Sequence, residues 1–485
     1  MRTFSYSAGM ASFAGKRVHC VGIKGSGMAA LVELMTAAGA VVTGSDSPEQ
    51  FFTDALLKGI GVTPMAGFAA AHLPRECDLV VYSAAYDPTV NPELIEAARR
   101  GLRCLEYPQA LGELSAGQPS LAVAGTHGKT TVTGMAAVMM QQLQLPGQAI
   151  LGSLVPALDN HATYLGGGRF LAAETCEYRR HFLHYHPRWI ILTNVEADHL
   201  DYYRDEEDVR SAFSQFCEKL PPGGGLIYCV DDPGAAAVAR NTAVRRPDLQ
   251  VVPYGMNAGG AYRVLPEEGV PGHFTLAGLN GEFRLQVPGR HNMLNAAAVI
   301  AALQLICDDL QLAAAPDPDY VRALAAFTGT RRRCEYIGQV DDIIVLDDYG
   351  HHPTEIRVTL EGIREHYPDR RMIVDFMPHT FSRTDALWDQ FIECFAAADE
   401  VWLHPVFASA RERDGRDPVA VGRRFAEAVQ VGSGKPVRFF ATFDQAAAAA
   451  AVLSPPSLFI TMGAGSNYEV GTEALAILQT RKEQL

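Results

Sequence analysis

The 485-residue chain contains no apolar run approaching the roughly 18 residues a membrane span needs, so no membrane partner is expected. Positive charge is also scarce. Lys and Arg number 41 against 55 Asp and Glu, and the net charge of -14 argues against a general nucleic-acid binder, which needs basic surface to meet phosphates. Cysteine is thinly spread: nine residues, odd in number and without a CxxC pair, form neither a disulfide frame nor a zinc site. That usage fits a reducing compartment, and a cytoplasmic location is expected. The opening MRTFSYSAGMASFAGKR lacks the apolar core of a signal peptide and reads as a short disordered lead-in. No short-period repeat is visible.

What is present is an ordinary globular composition, 48% hydrophobic and 20% charged, in a chain long enough for about three domains. Short β-branched runs alternate with helical stretches in three blocks, which predicts three α/β domains built on parallel sheets. The expected boundaries are 1–115, 116–328 and 329–485. Within the second block, a turn-rich stretch at about 253–288 reads as a small antiparallel excursion.

Two glycine turns follow strands. In AVAGTHGKTT the strand ends in Gly125-Thr126-His127-Gly128-Lys129-Thr130-Thr131 and a helix begins. Backbone N–H groups and a helix N-terminus there would surround an anion. Lys129 adds a positive charge, and the Thr130 hydroxyl stands where a magnesium ligand is wanted. The common GxxxxGK[ST] pattern needs a glycine at Val123, so this is the shorter GxxGKT form. Two other strands end in acidic groups, Glu174 and Glu177 in one, and Glu196, Asp198, His199 and Asp201 in the next. Ligands gather at the carboxyl ends of such strands, so these groups are candidates to converge on the loop.

The other turn, VGIKGSGM, has Gly25-x-Gly27-x-x-Ala30 with Asp46 further on, which fits a dinucleotide fingerprint. An NAD-dependent dehydrogenase is therefore a rival of a different class. A second phosphate loop with acidic neighbours is of no use to hydride transfer. Two phosphate loops suit two nucleotides better, one being ATP and the other carrying a substrate.

Five segments in order, GIKGSGM with GSD, AVAGTHGKTT, TNVEADHLDYY, PGRHNMLNAAAVIAAL and DDYGHHPTEI, resemble the Mur ligases over about residues 17–480. The resemblance implies a Rossmann-like UDP-substrate domain, a central ATPase domain and a C-terminal Rossmann-like domain on the amino-acid side. It implies ATP-dependent amide bond formation through an acyl phosphate, with UDP-N-acetylmuramate and L-alanine as substrates and Mg2+ as cofactor, two ions being expected. A related reading attaches a recycled tripeptide to the same acceptor, and a third keeps only UDP-sugar binding without catalysis. A monomer or weak homodimer is expected.

Residue by residue, the resemblance implies that the loop from Gly125 to Thr131 holds ATP phosphates, with Thr130, Glu174 and His199 as metal ligands. His291, Asn292 and Asn295 would meet adenine; an arginine of the pair Arg332 and Arg333 would meet ribose or phosphate, and Asp348 would orient the ribose. Gly22, Lys24, Gly25, Ser26, Gly27 and Met28 would hold the UDP-substrate together with Asp46 and Ser83. Tyr349, His351 and His379 would line the amino-acid side, with Arg383 as a further cation. The incoming amine must lose a proton, and His352 or a nearby carboxylate is the candidate base. The chain departs from the family at Thr380, where an arginine is common, at Phe68, where a histidine is common, and at Thr175-Cys176 in the acidic segment.

Overall fold

The computed structural model describes residues 13–199, 202–407 and 415–483. Residues 1–12 of the N-terminal lead-in, and Asp201 among the acidic groups, lie outside the described residues. Residues 13–17 are ordered against expectation, with Phe13 buried in the core and Arg17 opening the first strand. A five-stranded parallel sheet opens the chain, in the order Met65–Ala66, Val41–Asp46, Arg17–Val21, Leu79–Tyr82 and Cys104–Glu106. The central strands Arg17–Val21 and Leu79–Tyr82 are valine-containing runs buried along most of their length, as a parallel sheet covered by helices requires. The helix Ser26–Ala37 starts directly on the glycine turn after Arg17–Val21 and is buried from Met28 to Met35.

A seven-stranded sheet forms the centre. Its order is Gln250–Tyr254, Gly225–Cys229, Trp189–Leu192, Ser120–Ala124, Phe170–Glu174, Gly147–Val155 and His161–Leu165. All neighbours are parallel except the last pair, a hairpin. The strands Ser120–Ala124 and Trp189–Leu192 lie side by side, so the two segments rich in candidate ligands leave the sheet at the same edge. The helices Lys129–Gln142 and Arg290–Asp309 cover one face. Trp189 is almost fully buried, and burying an aromatic of that size contributes about 3 kcal/mol. The turn-rich stretch forms a three-stranded antiparallel sheet of Val264–Pro266, His273–Leu276 and Phe283–Arg284, as the sequence suggests.

The C-terminal sheet runs Glu335–Val340, Ile343–Asp348, Ser457–Met462, Arg371–Phe376, Glu400–Leu403 and Val437–Phe439, parallel but for its first pair. Separate apolar clusters fill its two faces. One apolar cluster, by contrast, runs from the first domain into the central one, so these two share a core. The alanine run at 446–452 is helical only to Ala450, in Phe443–Ala450.

The central and C-terminal domains are in tight contact where helix Pro353–His366 meets the backbone ahead of Arg290–Asp309. A Cβ on Gly362 would stand 2.5 Å from Gly289 Cα, a backbone atom that cannot turn aside. Gly362→Val should therefore push the C-terminal domain outward without unfolding it. The radius of gyration from small-angle scattering should rise at unchanged circular dichroism, and an unchanged scattering curve would contradict the contact.

Candidate functional site

The phosphate loop is shaped by its glycines. Gly125 has φ 143, and a Cβ there would lie 1.9 Å from Thr193 Oγ1, so the turn requires glycine. Gly128, at φ 82, ends the loop and helix Lys129–Gln142 follows. The His127 N–H donates to Asn194 Oδ1 at 2.7 Å, tying the loop to the neighbouring strand end. Lys129 Nζ donates to Gly125 O at 2.6 Å, Thr126 O at 2.9 Å and Glu177 Oε2 at 2.9 Å. Its three hydrogens are thus spent on two loop carbonyls and on Glu177. Burial opposes the charge of Lys129, but Glu177 outweighs it and the pKa is raised.

Thr130 Oγ1 donates to Glu174 Oε2 at 2.7 Å, and burial raises the Glu174 pKa. His199, at φ 54, packs its ring 4.8 Å from Tyr178 and sets Nε2 3.7 Å from Glu177 Oε1. Lys129, Thr130, Glu174 and His199 line one cavity of about 490 Å³, and Gly25, Ser26, Gly27, Met28 and Ser83 form its far wall. The two glycine turns therefore face each other across a single space. Tyr107 closes over Gly27, where a Cβ would be 2.9 Å from its ring. Gly22 is likewise covered by Tyr86.

Lys24 and Asp46 stand outside this cavity. Lys24 Nζ donates to Ser47 O and Glu49 O, while Asp46 accepts from Lys24 N, Ser47 N and Tyr86 Oη. Both brace the turn, and Asp46 has its oxygens engaged where a dehydrogenase would need them for a ribose.

A second cavity of about 250 Å³ lies behind the loop. His127, Gly128 and Thr131 line it with His291, Asn292, Asn295 and Asp348. Asn292 does not cap its helix: its amide donates to Pro288 O at 2.7 Å, and Asn295 Nδ2 donates to Asn292 Oδ1 at 3.1 Å. Burial lowers the His291 pKa to about 4, leaving a neutral ring. The arginine on this wall is Arg333. Arg332 has φ 60, turns the other way, and is held by Asp347 Oδ2 at 3.0 Å and Gly463 O at 2.8 Å. Asp348 accepts from Cys334 N and Gly350 N at 2.8 and 2.7 Å, so its carboxylate shapes the wall.

A third cavity, about 150 Å³, is bounded by Asp198, His199, Thr380, Ser382, Arg383 and Leu387. Arg383 reaches Asp198 Oδ1 and His379 Nδ1, each at 3.1 Å. The rings of His351 and His379 lie 5.7 Å apart, and those of Tyr349 and His351 5.3 Å. His351 Nδ1 meets Tyr349 O at 3.0 Å, so it donates and leaves Nε2 as an acceptor. His352 is placed the other way round. Its Nδ1 accepts from Thr354 N at 3.3 Å as the cap of helix Pro353–His366, so Nε2 carries the hydrogen, and burial lowers its pKa to about 4. That arrangement does not fit the base role expected of His352.

Glu355 is the residue sequence reasoning missed. It lies on the second-cavity wall, 3.2 Å from His127 Nδ1 and 3.6 Å from Arg333. The only local signal was its place three residues after His352 in a capping box. His127, Glu196 and His352 place ligand atoms within 4.8 Å of one another. In this structure His127 is held charged between Glu196 and Glu355. Burial opposes that charge, but Glu355 and Glu196 outweigh it and raise the His127 pKa to about 9.

A histidine whose pKa is raised on folding stabilises fully below its unfolded value of ~6.5 and loses that contribution as pH climbs through the folded value. The His127 link between loop and C-terminal domain should therefore weaken as pH rises from neutrality through about 9. The melting temperature should fall more steeply between neutral and alkaline pH in the native protein than in His127→Gln. Parallel curves would remove the ion pair from the interface.

Three family matches tile the chain: "Mur ligase family, catalytic domain" at residues 17–119, "Mur ligase middle domain" at 123–303 and "Mur ligase, glutamate ligase domain" at 332–465. The chain is 44% identical to a UDP-N-acetylmuramate–L-alanine ligase of Treponema pallidum, over 94% of this chain and 95% of the relative. It is 40% identical to another of that name from Desulfitobacterium hafniense, over 94% and 98%. A UDP-N-acetylmuramate–alanine ligase structure from Thermotoga maritima shares the fold, with a TM-score of 0.76 at 24% identity over 96% of this chain and all of that one. A murein peptide ligase of Psychrobacter arcticus follows at 0.69 and 25% identity, covering 96% of this chain and 99% of that one. The chain belongs to the Mur ligase family.

Proposed function

We propose that the protein joins L-alanine to the lactyl carboxylate of UDP-N-acetylmuramate with cleavage of ATP, forming an acyl phosphate on the way. The observation that carries this reading is the shared cavity in which the Gly25–Met28 turn faces Lys129, Thr130, Glu174 and His199. A nucleotide-borne acceptor held at one wall meets the phosphoryl donor at the other. The relatives above 40% identity carry the name of this activity, which favours it over the tripeptide-attaching ligase.

A carboxylate resists attack by an amine until one oxygen becomes a good leaving group. Lys129 would move from its loop carbonyls to the transferred phosphoryl group and offset its developing charge. The donors fit a hard cation: the buried Glu174 carboxylate has the Thr130 hydroxyl beside it, oxygen ligands of the kind magnesium takes. We assign one Mg2+ to Thr130 and Glu174 and a second to His199. Bound there, the metal would neutralise the charge of two anions brought together. The 150 Å³ cavity suits a small amino acid, with Arg383 meeting its carboxylate and Leu387 its methyl group. The proton released from nitrogen after attack is not taken by His351 or His352, because burial holds both rings neutral, with pKa values lowered to about 3 and about 4. Contacts from the C-terminal domain close the space and keep water from the acyl phosphate.

Phosphate release from ATP should require UDP-N-acetylmuramate and L-alanine together. Glycine and L-serine should serve as weaker substitutes, and the tripeptide should be inactive. Tripeptide turnover equal to that of L-alanine would overturn the choice of amino acid and leave the ligase reading standing.

Lys129→Ala should lower turnover by at least about 10²-fold, the scale of losing one charge-stabilising donor. Binding of the UDP-substrate, held by the opposite wall, should persist in calorimetry. Near-normal phosphate release would remove the loop from the mechanism.

A further inference from the structure

Helix Ser26–Ala37 carries the substrate-side turn at its start, and its buried stretch from Met28 to Met35 is apolar except for Glu33. That carboxylate is only 5% exposed. Its partners belong to the central domain: His161 Nδ1 pairs with Oε1, and Ala162 N donates to Oε2 at 3.2 Å. Both stand at the start of the second strand of the hairpin Gly147–Val155 and His161–Leu165. A charge buried in an apolar helix face is costly unless paired, so its placement against the hairpin is specific.

The turn of the same hairpin is held from the opposite direction. Asp159 and Asn160 adopt φ 55 and 59, and Asn160 N donates to Val155 O at 3.1 Å. Asn160 Oδ1 then accepts from Arg331 Nε at 3.2 Å. Arg331 also donates its N–H to Leu154 O at 2.8 Å, and its carbonyl accepts from Ser153 Oγ at 2.9 Å. Arg331 opens the segment that leads into the C-terminal domain. The next two residues are Arg332, fixed to Asp347, and Arg333, on the wall of the nucleotide cavity.

The geometry points to this hairpin as the element that couples the UDP-substrate domain to the C-terminal hinge, with Glu33 and Asn160 as positioning residues at its two attachments. Neither residue lines any of the three cavities. Their effect is on distance: the acceptor carboxylate, the phosphoryl donor and the amine sit on three domains and must meet within a fraction of an ångström. Helix Ser26–Ala37 sets the first of these positions and Arg331 sets the third, both against one rigid hairpin. The turnover readout of this inference rests on the ligase reading above; hydrogen exchange does not.

Four variants test it: Glu33→Ala, Asn160→Gly, the two combined, and Asn160→Asp. Glycine keeps the positive φ at 160 and removes the acceptor, whereas aspartate keeps an oxygen in place. Calorimetric affinities for UDP-N-acetylmuramate and for a non-hydrolysable ATP analogue should stay within about twofold, while kcat falls about tenfold in each single variant, the scale of a small misplacement. The combined variant should lose no more than the worse single one, because both break one chain of contacts. Asn160→Asp should restore kcat. Independently of activity, the Arg331 amide should exchange faster in Glu33→Ala than in the native protein. Unchanged exchange, multiplicative losses, or affinities falling in step with kcat would each overturn the coupling. A native protein that shows this exchange response yet no ATP turnover would overturn the ligase reading instead.

Discussion

Five carboxylates, Glu174, Glu177, Glu196, Asp198 and Glu355, converge around one phosphate loop, and the rest of the structure is arranged to make that tolerable. Buried like charges cannot all ionise unless cations are interleaved with them. Lys129 answers Glu177, His127 answers Glu355 and Glu196, and Arg383 answers Asp198. The pKa pattern follows. Glu196 and Glu355 are held below the ordinary carboxylate range despite burial, while Glu174, with only a hydroxyl as hydrogen-bond partner, is pushed up by burial. Glu174 is thus the group least served by protein cations, which is what supports the metal-ligand role proposed for it.

Two of these ion pairs cross a domain boundary, His127 with Glu355 and Arg383 with Asp198. Arg383 reaches Asp198 from the C-terminal domain, and from the same side the Thr354 hydroxyl donates to Glu196 Oε2 at 3.0 Å. Domain closure and charge neutralisation are therefore one event. Moving the C-terminal domain away uncovers Asp198 and Glu196 together and raises the negative charge of the loop's surroundings.

The parts legible in the sequence were those encoded locally. GTHGKT has its glycines, lysine and threonine within one turn, and strand pairing of Ser120–Ala124 with Trp189–Leu192 brings the acidic segments alongside. What escaped was decided by backbone turns or by partners far along the chain. Arg332 and Arg333 are indistinguishable as letters, and the backbone turn at Arg332, φ 60, sends one to Asp347 and the other to the wall of the second cavity. Lys24 and Asp46 have the right types and spacing for ligand contact, yet bond one another's turn. His352 looked like a base because a histidine pair precedes a helix; the N–H of Thr354 fixes its tautomer against that role.

Positive φ at non-glycine residues marks the path between domains. Asp159, Asn160, Arg332 and Cys334 all lie in the left-handed region, and each such residue costs on the order of 1 kcal/mol. Glycine would relieve that cost and loosen the chain. Here the side chains are used instead: Asn160 accepts from Arg331, Arg332 grips Asp347, and Cys334 N is bound by Asp348. The strain is offset by bonds that exist only in this conformation, so the hinge is specified to one angle where a glycine hinge would permit many. That is the requirement of a site whose reacting groups come from three domains and whose charges balance only when all three are in place.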